Sequence, residues 1–145
     1  MISLLACGWP NNKNYKWQDM RKLATYAIEN YEYEEIEIPM KFEPIAVDNG
    51  IPNSNQLFDE AYVQVGIANT APFRVLKKKD EVIEMEVESK QLIGAPVGKG
   101  LKVGDIRFCL NGNEIANFEI VTVETIFRRN IGWYLARMIE LFYRF

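Results

Sequence analysis

The chain has 145 residues, of which 48% are hydrophobic and 26% are charged, a balance typical of one globular domain with a few appended elements. It contains no histidine, which excludes Ser-His-Asp and Cys-His catalysis and removes the commonest metal ligand. Cys7 and Cys109 lie far apart in apolar runs, so neither a disulfide framework nor a metal knuckle is indicated.

The first thirty residues predict a strand followed by a helix. Residues 2–6 form an apolar run that stops at Gly8 and Pro10, which suits a buried strand and a turn. No basic leader precedes this run, so we expect no export signal in the chain. The next residues predict a helix that ends near Asn30. Its apolar residues recur at helical spacing and share one face: Trp17, Met20, Leu23, Ala24, Ala27 and Tyr31.

From about Ile36 to Val123 the apolar period changes to two, which predicts β-strands. Strand-like runs occupy residues 35–42, 61–68, 82–88, 105–110 and 114–123. In one of them glutamates alternate with Ile83, Met85 and Val87, so one face should be solvated and the other buried. The pair Asn111-Gly112 is a strong signal for a two-residue hairpin turn. The expected fold class is mainly β, with a small antiparallel β-sandwich of two packed sheets.

The motifs that suggest chemistry all have simpler explanations. Gly98-Lys99-Gly100 lacks the rest of a phosphate-binding loop and is interpreted as a turn. The run of lysines at residues 77–79 is followed by two acidic residues, which predicts a solvated hairpin tip and no nucleic-acid partner. Five acidic residues should face water: Glu29, Glu32, Glu34, Glu35 and Glu37. We therefore predict no catalytic residue, no cofactor and no metal site.

The tail at residues 126–145 holds four arginines and one glutamate, a net charge of +3, whereas the rest of the chain is net −6. Its apolar residues recur at helical spacing: Phe127, Ile131, Tyr134, Leu135, Met138, Phe142 and Phe145, with Trp133 and Leu141 widening the stripe. The arginines lie largely off this stripe: Arg128, Arg129, Arg137 and Arg144. This pattern predicts an amphipathic helix that lies on a membrane surface. The alternative is a terminal helix packed on the protein's own core, and recurring arginines disfavour a membrane span.

Several segments together resemble one enzyme family. Residues 2–10 and 17–31 resemble the last strand and last helix of the peptidase domain in serine D-alanyl-D-alanine carboxypeptidases, the low-molecular-mass penicillin-binding proteins. Residues 94–106, with Ala95-Pro96 and Lys99-Gly100, are similar to the turn-and-strand pattern Ala-Pro-(Ile/Val)-x-Lys-Gly-x-x-Val-Gly of the family's C-terminal domain. The cationic tail resembles the family's membrane anchor.

The resemblance implies three segments: a peptidase-domain remnant at residues 1–35, the β-sandwich at 36–123 and an anchor helix at 124–145. The family's catalytic motifs S-x-x-K, S-x-N and K-T-G do not occur in this sequence, so we expect a C-terminal fragment that is inactive alone.

The implied function is a non-catalytic module that positions the peptidase domain near the membrane for trimming of peptidoglycan peptides, at the extracytoplasmic face of a bacterial cell. The alternative is a module that recruits other cell-wall enzymes through an exposed sheet edge. Separation from the peptidase domain would leave the first strand and the Trp17 helix uncovered, so we also expect self-association.

Overall fold

The structure, a computed structural model, describes residues 13–69 and 71–144. In chain order the elements are α1 (Lys13–Asn30), β1 (Tyr31–Ile36), β2 (Ile45–Asp48), β3 (Ala61–Val63), β4 (Val65–Ile67), β5 (Phe73–Lys78), β6 (Ile83–Ser89), β7 (Leu92–Gly94), β8 (Lys102–Leu110), β9 (Asn113–Thr122) and α2 (Ile131–Tyr143). The strand predicted at residues 2–6 and the tail residue Phe145 lie outside the described residues.

The chain divides into two compact units. The first holds Pro72–Val82 together with the described residues up to Glu37, and the second holds Ile38–Ala71 and the residues from Ile83 onward. In the first unit, α1 runs directly into β1, which pairs antiparallel with β5 from Tyr31 opposite Lys78 to Ile36 opposite Phe73. The helix predicted from the Trp17 pattern is therefore present and ends at Asn30, as its spacing indicated.

The second unit is mainly β, although β5, which lies within the range 36–123 predicted for the β-sandwich, belongs to the first unit. One sheet has the order β3-β2-β7 and the other the order β4-β9-β8-β6; all pairs are antiparallel except β2 with β7. Gln64 alone separates β3 from β4, so the chain passes from one sheet to the other at this residue. Both sheets supply the buried core: Ile45, Val47, Ala61, Val63 and Ile93 from the first, and Val65, Val103, Ile106, Phe108 and Ile120 from the second. The expected fold class is confirmed.

The hairpin between β8 and β9 forms where the sequence predicts it. Asn111 and Gly112 have φ values of 53° and 78°, the positive values that a two-residue turn of this kind requires. Leu110 stands opposite Asn113 at the end of the ladder. Asparagine and glycine tolerate this backbone region best, which is why so short a motif predicts the turn reliably.

A second loop, residues 98–101, is held by one buried threonine. The Thr122 hydroxyl donates to the Gly98 carbonyl at 2.7 Å and accepts from the Leu101 amide at 2.9 Å. Backbone bonds run from Gly100 to Thr122 and from Thr122 to Leu101 at 2.7 and 3.0 Å. The prediction of a turn at Gly98-Lys99-Gly100 therefore agrees with the structure, and the hydrogen bonds of Thr122 fix the conformation of the loop.

Two strand predictions differ from the structure. The alternation at residues 35–42 predicts a strand, but β1 ends at Ile36 and residues 37–44 contain no strand. Pro39 and Pro44 lie in this segment, and proline has no amide hydrogen to donate to a ladder. In β6, Met85 and Val87 were expected on a buried face but are 50% and 48% exposed.

The lysine run is not a fully solvated tip. Lys77 is buried, with its ammonium 3.1 Å from Glu34, 3.3 Å from Glu32 and 2.9 Å from the Glu81 carbonyl oxygen. Two of the acidic residues expected to face water therefore pair with it across β1 and β5. The cross-strand register, which the sequence does not reveal, brings these charges together.

Candidate membrane-contact site at the C-terminal helix

The C-terminal helix begins five residues later than the sequence predicts. Ile126, the first residue of the predicted helical tail, is buried in the core instead, and its amide and carbonyl each bond to Val97 at 2.9 Å. Asn130 has extended backbone, and its side-chain oxygen accepts from the Trp133 amide at 2.8 Å, which caps the helix so that α2 starts at Ile131. The predicted helix therefore starts too early, because Ile126 packs in the β-sandwich and Phe127 lies in an extended segment before the helix.

No residue of α2 is buried. The apolar side chains that the sequence placed on one face are exposed: Ile131 79%, Tyr134 37%, Leu135 55%, Met138 48% and Phe142 80%. Phe127, which precedes the helix in an extended segment, is 68% exposed. The alternative of a tail packed into its own core is therefore wrong for these residues.

Two predicted anchor residues attach the helix to the body. The indole nitrogen of Trp133 donates to the Asn55 side-chain oxygen at 2.7 Å, and an Arg137 nitrogen lies 3.5 Å from the Asn55 carbonyl oxygen. Arg137 also pairs with Glu140 at 2.8 Å within the helix. Trp133 was expected to widen the exposed stripe, but its hydrogen bond turns it toward the loop at residues 54–58.

Arg129 has a structural role at the start of the helix. Its side chain donates to the Gly50 carbonyl at 2.8 Å and to the Asp59 carbonyl, and its own amide donates to the Asn49 carbonyl at 2.8 Å. Its guanidinium also lies 5.1 Å from the centre of the Trp133 ring, a cation–π contact. Of the four predicted anchor arginines, Arg128 and Arg144 are exposed, whereas Arg129 and Arg137 hold α2 in place.

The geometry of α2 suits a surface location. A helix of 13 residues is about 20 Å long at the usual rise per residue, well below the thickness of a bilayer core. Within residues 13–69 and 71–144, no helix is long and apolar enough to span a membrane.

A second exposed apolar element lies beside the helix. Leu57 and Phe58, in the loop before β3, line an apolar cavity of about 340 Å³ with Met138, Leu141 and Phe142 of α2. Phe58 is 86% exposed. Leu57 and Phe58 were not among the residues predicted for this site, although they are two adjacent apolar residues within the polar stretch at residues 53–60.

The described residues bring together no group of three or more histidine, cysteine, aspartate or glutamate side chains that could hold a metal ion.

Residues 48–128 match the family described as penicillin-binding protein 5, C-terminal domain. The match covers more than half of the sequence, and the chain belongs to this family. The matched region ends before α2 begins, so the arguments about the helix depend on its own geometry. No curated protein matches the chain.

The chain is similar to several solved structures, including the following three. Penicillin-binding protein 5 from Haemophilus influenzae is 18% identical with a TM-score of 0.47, covering 79% of this chain and 32% of that one. The D-alanyl-D-alanine carboxypeptidase from Francisella tularensis is 17% identical with a TM-score of 0.48, covering 83% and 29%. A peptidoglycan synthesis regulatory factor from Streptococcus pneumoniae is 15% identical with a TM-score of 0.47, covering 82% and 33%. The chain spans about a third of the length of each of these proteins.

Proposed function

We propose that this chain is a non-catalytic C-terminal module of a cell-wall D-alanyl-D-alanine carboxypeptidase. It holds the peptidase domain at a working distance from the membrane, at the extracytoplasmic face of the bacterial cell, while peptidoglycan peptides are trimmed. The main support for the proposal is that α2 exposes its apolar side chains although it is attached to the β body. The attachment is made by Trp133, Arg129 and Arg137. A helix that only completed the core would bury those side chains.

Simple energetics favour reversible binding in the plane of the interface. Removing a large apolar side chain from water contributes about 1.5–3 kcal/mol, and α2 presents several such side chains. Each arginine near an anionic surface adds about 1 kcal/mol, which salt weakens. Arg128 and Arg144 are the two exposed arginines available for this. The helix therefore supplies both contributions that peripheral attachment requires.

Co-sedimentation with vesicles of phosphatidylcholine and phosphatidylglycerol tests this role of the helix. The matched truncation ends at Asn130, because Ile126 belongs to the core and Arg129 makes the loop contacts, so both must be kept. We expect the full chain to bind, binding to weaken as salt is added, and the truncated chain to remain in solution. Equal binding by the two chains would refute the proposal.

The non-catalytic part of the proposal is tested separately. A fluorescent β-lactam acylates the active serine of this enzyme family, and the chain lacks S-x-x-K, S-x-N and K-T-G. We expect no covalent labelling of the chain. A labelled band that survives denaturing electrophoresis would contradict this.

A second candidate function is protein binding through the edge of the larger sheet. Among the described residues β6 pairs only with β8, and it exposes Met85 and Val87 beside Glu84, Glu86 and Glu88. Such an edge accepts an added strand or an apolar partner surface. Capture of a cell-wall enzyme by the chain truncated at Asn130 supports this function if Met85→Lys abolishes the capture. Capture that survives this substitution does not support it.

Self-association through α1 is also part of the proposal. Trp17 and Leu23, which the sequence placed on one face, are 65% and 52% exposed. Packing of these side chains against a second copy would remove them from water. Size-exclusion chromatography with light scattering at micromolar concentration should give more than the monomer mass, and Trp17→Ser should reduce that mass. A monomer mass under these conditions would refute self-association through α1.

A further inference from the structure

The loop at residues 54–58 and the second half of α2 form one groove with two chemically different parts. The polar part, a cavity of about 230 Å³, is lined by Ser54, Asn55, Gln56, Arg137, Glu140 and Arg144. The apolar part is the cavity of about 340 Å³ already described. Leu57, Phe58 and Leu141 line both, so the two parts are continuous.

The polar part favours an anion. Its lining contains two arginines, Arg137 and Arg144, and one carboxylate, Glu140, so the net charge of the lining is +1. The Nε atom of Arg137 is buried and has no hydrogen-bond partner, although the Nη1 atom of the same guanidinium contacts both Glu140 and the Asn55 carbonyl. A buried donor without a partner is costly, and an acceptor supplied by a ligand would remove that cost.

The apolar part favours a hydrocarbon chain. All of its lining residues are apolar, and Phe58 and Phe142 stand 86% and 80% exposed on its two sides. The groove opens on the helix that carries the exposed apolar stripe, so it is continuous with the proposed membrane-contact surface. A peptide ligand would leave its backbone amides without partners against such a lining.

We propose that this groove binds one phospholipid with an anionic headgroup, its phosphate at Arg137 and Arg144 and the upper part of an acyl chain between Phe58 and Phe142. The inference rests on the proposed attachment of α2 to the membrane. It adds a second contact, the loop that carries Phe58, and with two contacts the body is held in one orientation on the bilayer.

Vesicle co-sedimentation with single variants tests the two parts of the groove. Phe58→Ser should weaken binding about tenfold, as expected for loss of one inserted phenyl ring. Met40→Ser should leave binding unchanged, because Met40 is also an exposed apolar residue but lies outside the groove. Arg144→Gln should weaken binding to phosphatidylglycerol vesicles more than Arg128→Gln, which removes the same charge outside the groove. Equal effects of each variant and its control would overturn the proposal.

A titration distinguishes a lipid from a free phosphate. The Trp133 indole N–H donates to Asn55 at the wall of the groove, and the exposed Trp17 indole serves as an internal reference. Dihexanoyl phosphatidylglycerol below its micelle concentration should shift the Trp133 indole resonance and not that of Trp17, while glycerol 3-phosphate should shift neither. Equal shifts with glycerol 3-phosphate would identify a site for free phosphate, and no shift with either probe would show that the groove binds neither. Both results overturn the proposal.

Light scattering tests whether a second copy of the chain occupies the groove. A mass increase that Phe58→Ser abolishes would assign the groove to a second copy and overturn the proposal.

These results are separable from those of the truncation. If the chain ending at Asn130 loses vesicle binding but Phe58→Ser and Arg144→Gln behave as their controls do, attachment through α2 stands and the groove proposal fails. If the truncated chain still binds vesicles as the full chain does, attachment itself fails.

Discussion

The indole nitrogen of Trp133 donates a hydrogen bond of 2.7 Å to the side-chain oxygen of Asn55. Asn55 has a φ of 56°, a left-handed conformation that asparagine adopts more readily than most residues, and this places its side chain toward the helix. A helix of 13 residues is marginal by itself in water. The bond to Asn55 is therefore one reason that α2 persists on the surface of the body.

Trp133→Phe tests this bond while keeping an aromatic ring. We expect the free energy of unfolding to fall by about 1 kcal/mol and the α2 amides to exchange faster with solvent. Urea denaturation and hydrogen exchange measure the two effects. Trp17→Phe, in an exposed part of α1, is the matched control and should change neither. Unchanged amide protection in α2 would show that the bond does not stabilise the helix.

Gly50 is packed so closely that no side chain fits. A Cβ atom there would lie 2.8 Å from Ala61 Cβ, 2.8 Å from Ile126 Cγ2 and 2.9 Å from Val47 Cγ1. All three neighbours are buried, and Gly50 also bridges to the segment that leads into α2. Gly50→Ala should therefore lower the free energy of unfolding by about 1–3 kcal/mol through overpacking.

The matched control for Gly50 is Gly98. A Cβ atom at Gly98 meets nothing within 4 Å, so Gly98→Ala should change stability by less than about 0.5 kcal/mol. Thermal or urea unfolding of both variants checks the pair. Equal stability of Gly50→Ala and the parent chain would contradict the close packing of residues 126–129 against β2 and β3.

Thr122 is 1% exposed and bonds through its hydroxyl to both ends of the loop at residues 98–101. Thr122→Val keeps the shape of the side chain but removes both hydrogen bonds of the hydroxyl. The Gly98 carbonyl and the Leu101 amide then lose this partner. We expect a loss of about 1–3 kcal/mol in urea unfolding. Thr122→Ser retains the hydroxyl and should recover part of that loss. A Ser variant no more stable than the Val variant would show that the methyl group, and not the hydroxyl, matters.

Sequence patterns predicted the features that depend on neighbouring residues. Asn111-Gly112 specifies its turn because the required φ values are local, and the Trp17 spacing predicts α1 because its period is local. Long-range features could not be predicted in the same way. The burial of Lys77 depends on the register of β5 against β1, and Ile126 falls outside the C-terminal helix because it pairs with Val97. Phe58 joins the α2 surface only because the fold brings two distant segments together.

Because of Lys77, the stability of the first unit should depend on pH in the alkaline range. The hydrogen bond to Glu34, supported by Glu32, raises the pKa of Lys77 above its ordinary value of 10.5, although burial opposes the rise. Since the pKa is higher in the folded state than in the unfolded one, the stabilisation is fully present below about pH 10.5. It is lost as the pH rises through the folded-state pKa, where Lys77 becomes neutral and Glu32 and Glu34 lose their shared cation.

Lys77→Met separates this effect from general alkaline denaturation. The variant should be less stable than the parent chain at neutral pH, because Glu32 and Glu34 then face each other without a cation, and the difference should shrink above about pH 10.5. Lys79→Met, at an exposed position two residues away, should follow the parent chain throughout. Circular dichroism melts over a series of pH values measure all three proteins. If the difference in stability between the Lys77 variant and the parent chain stays constant across this pH range, the ion pairs of Lys77 do not cause the loss of stability at high pH.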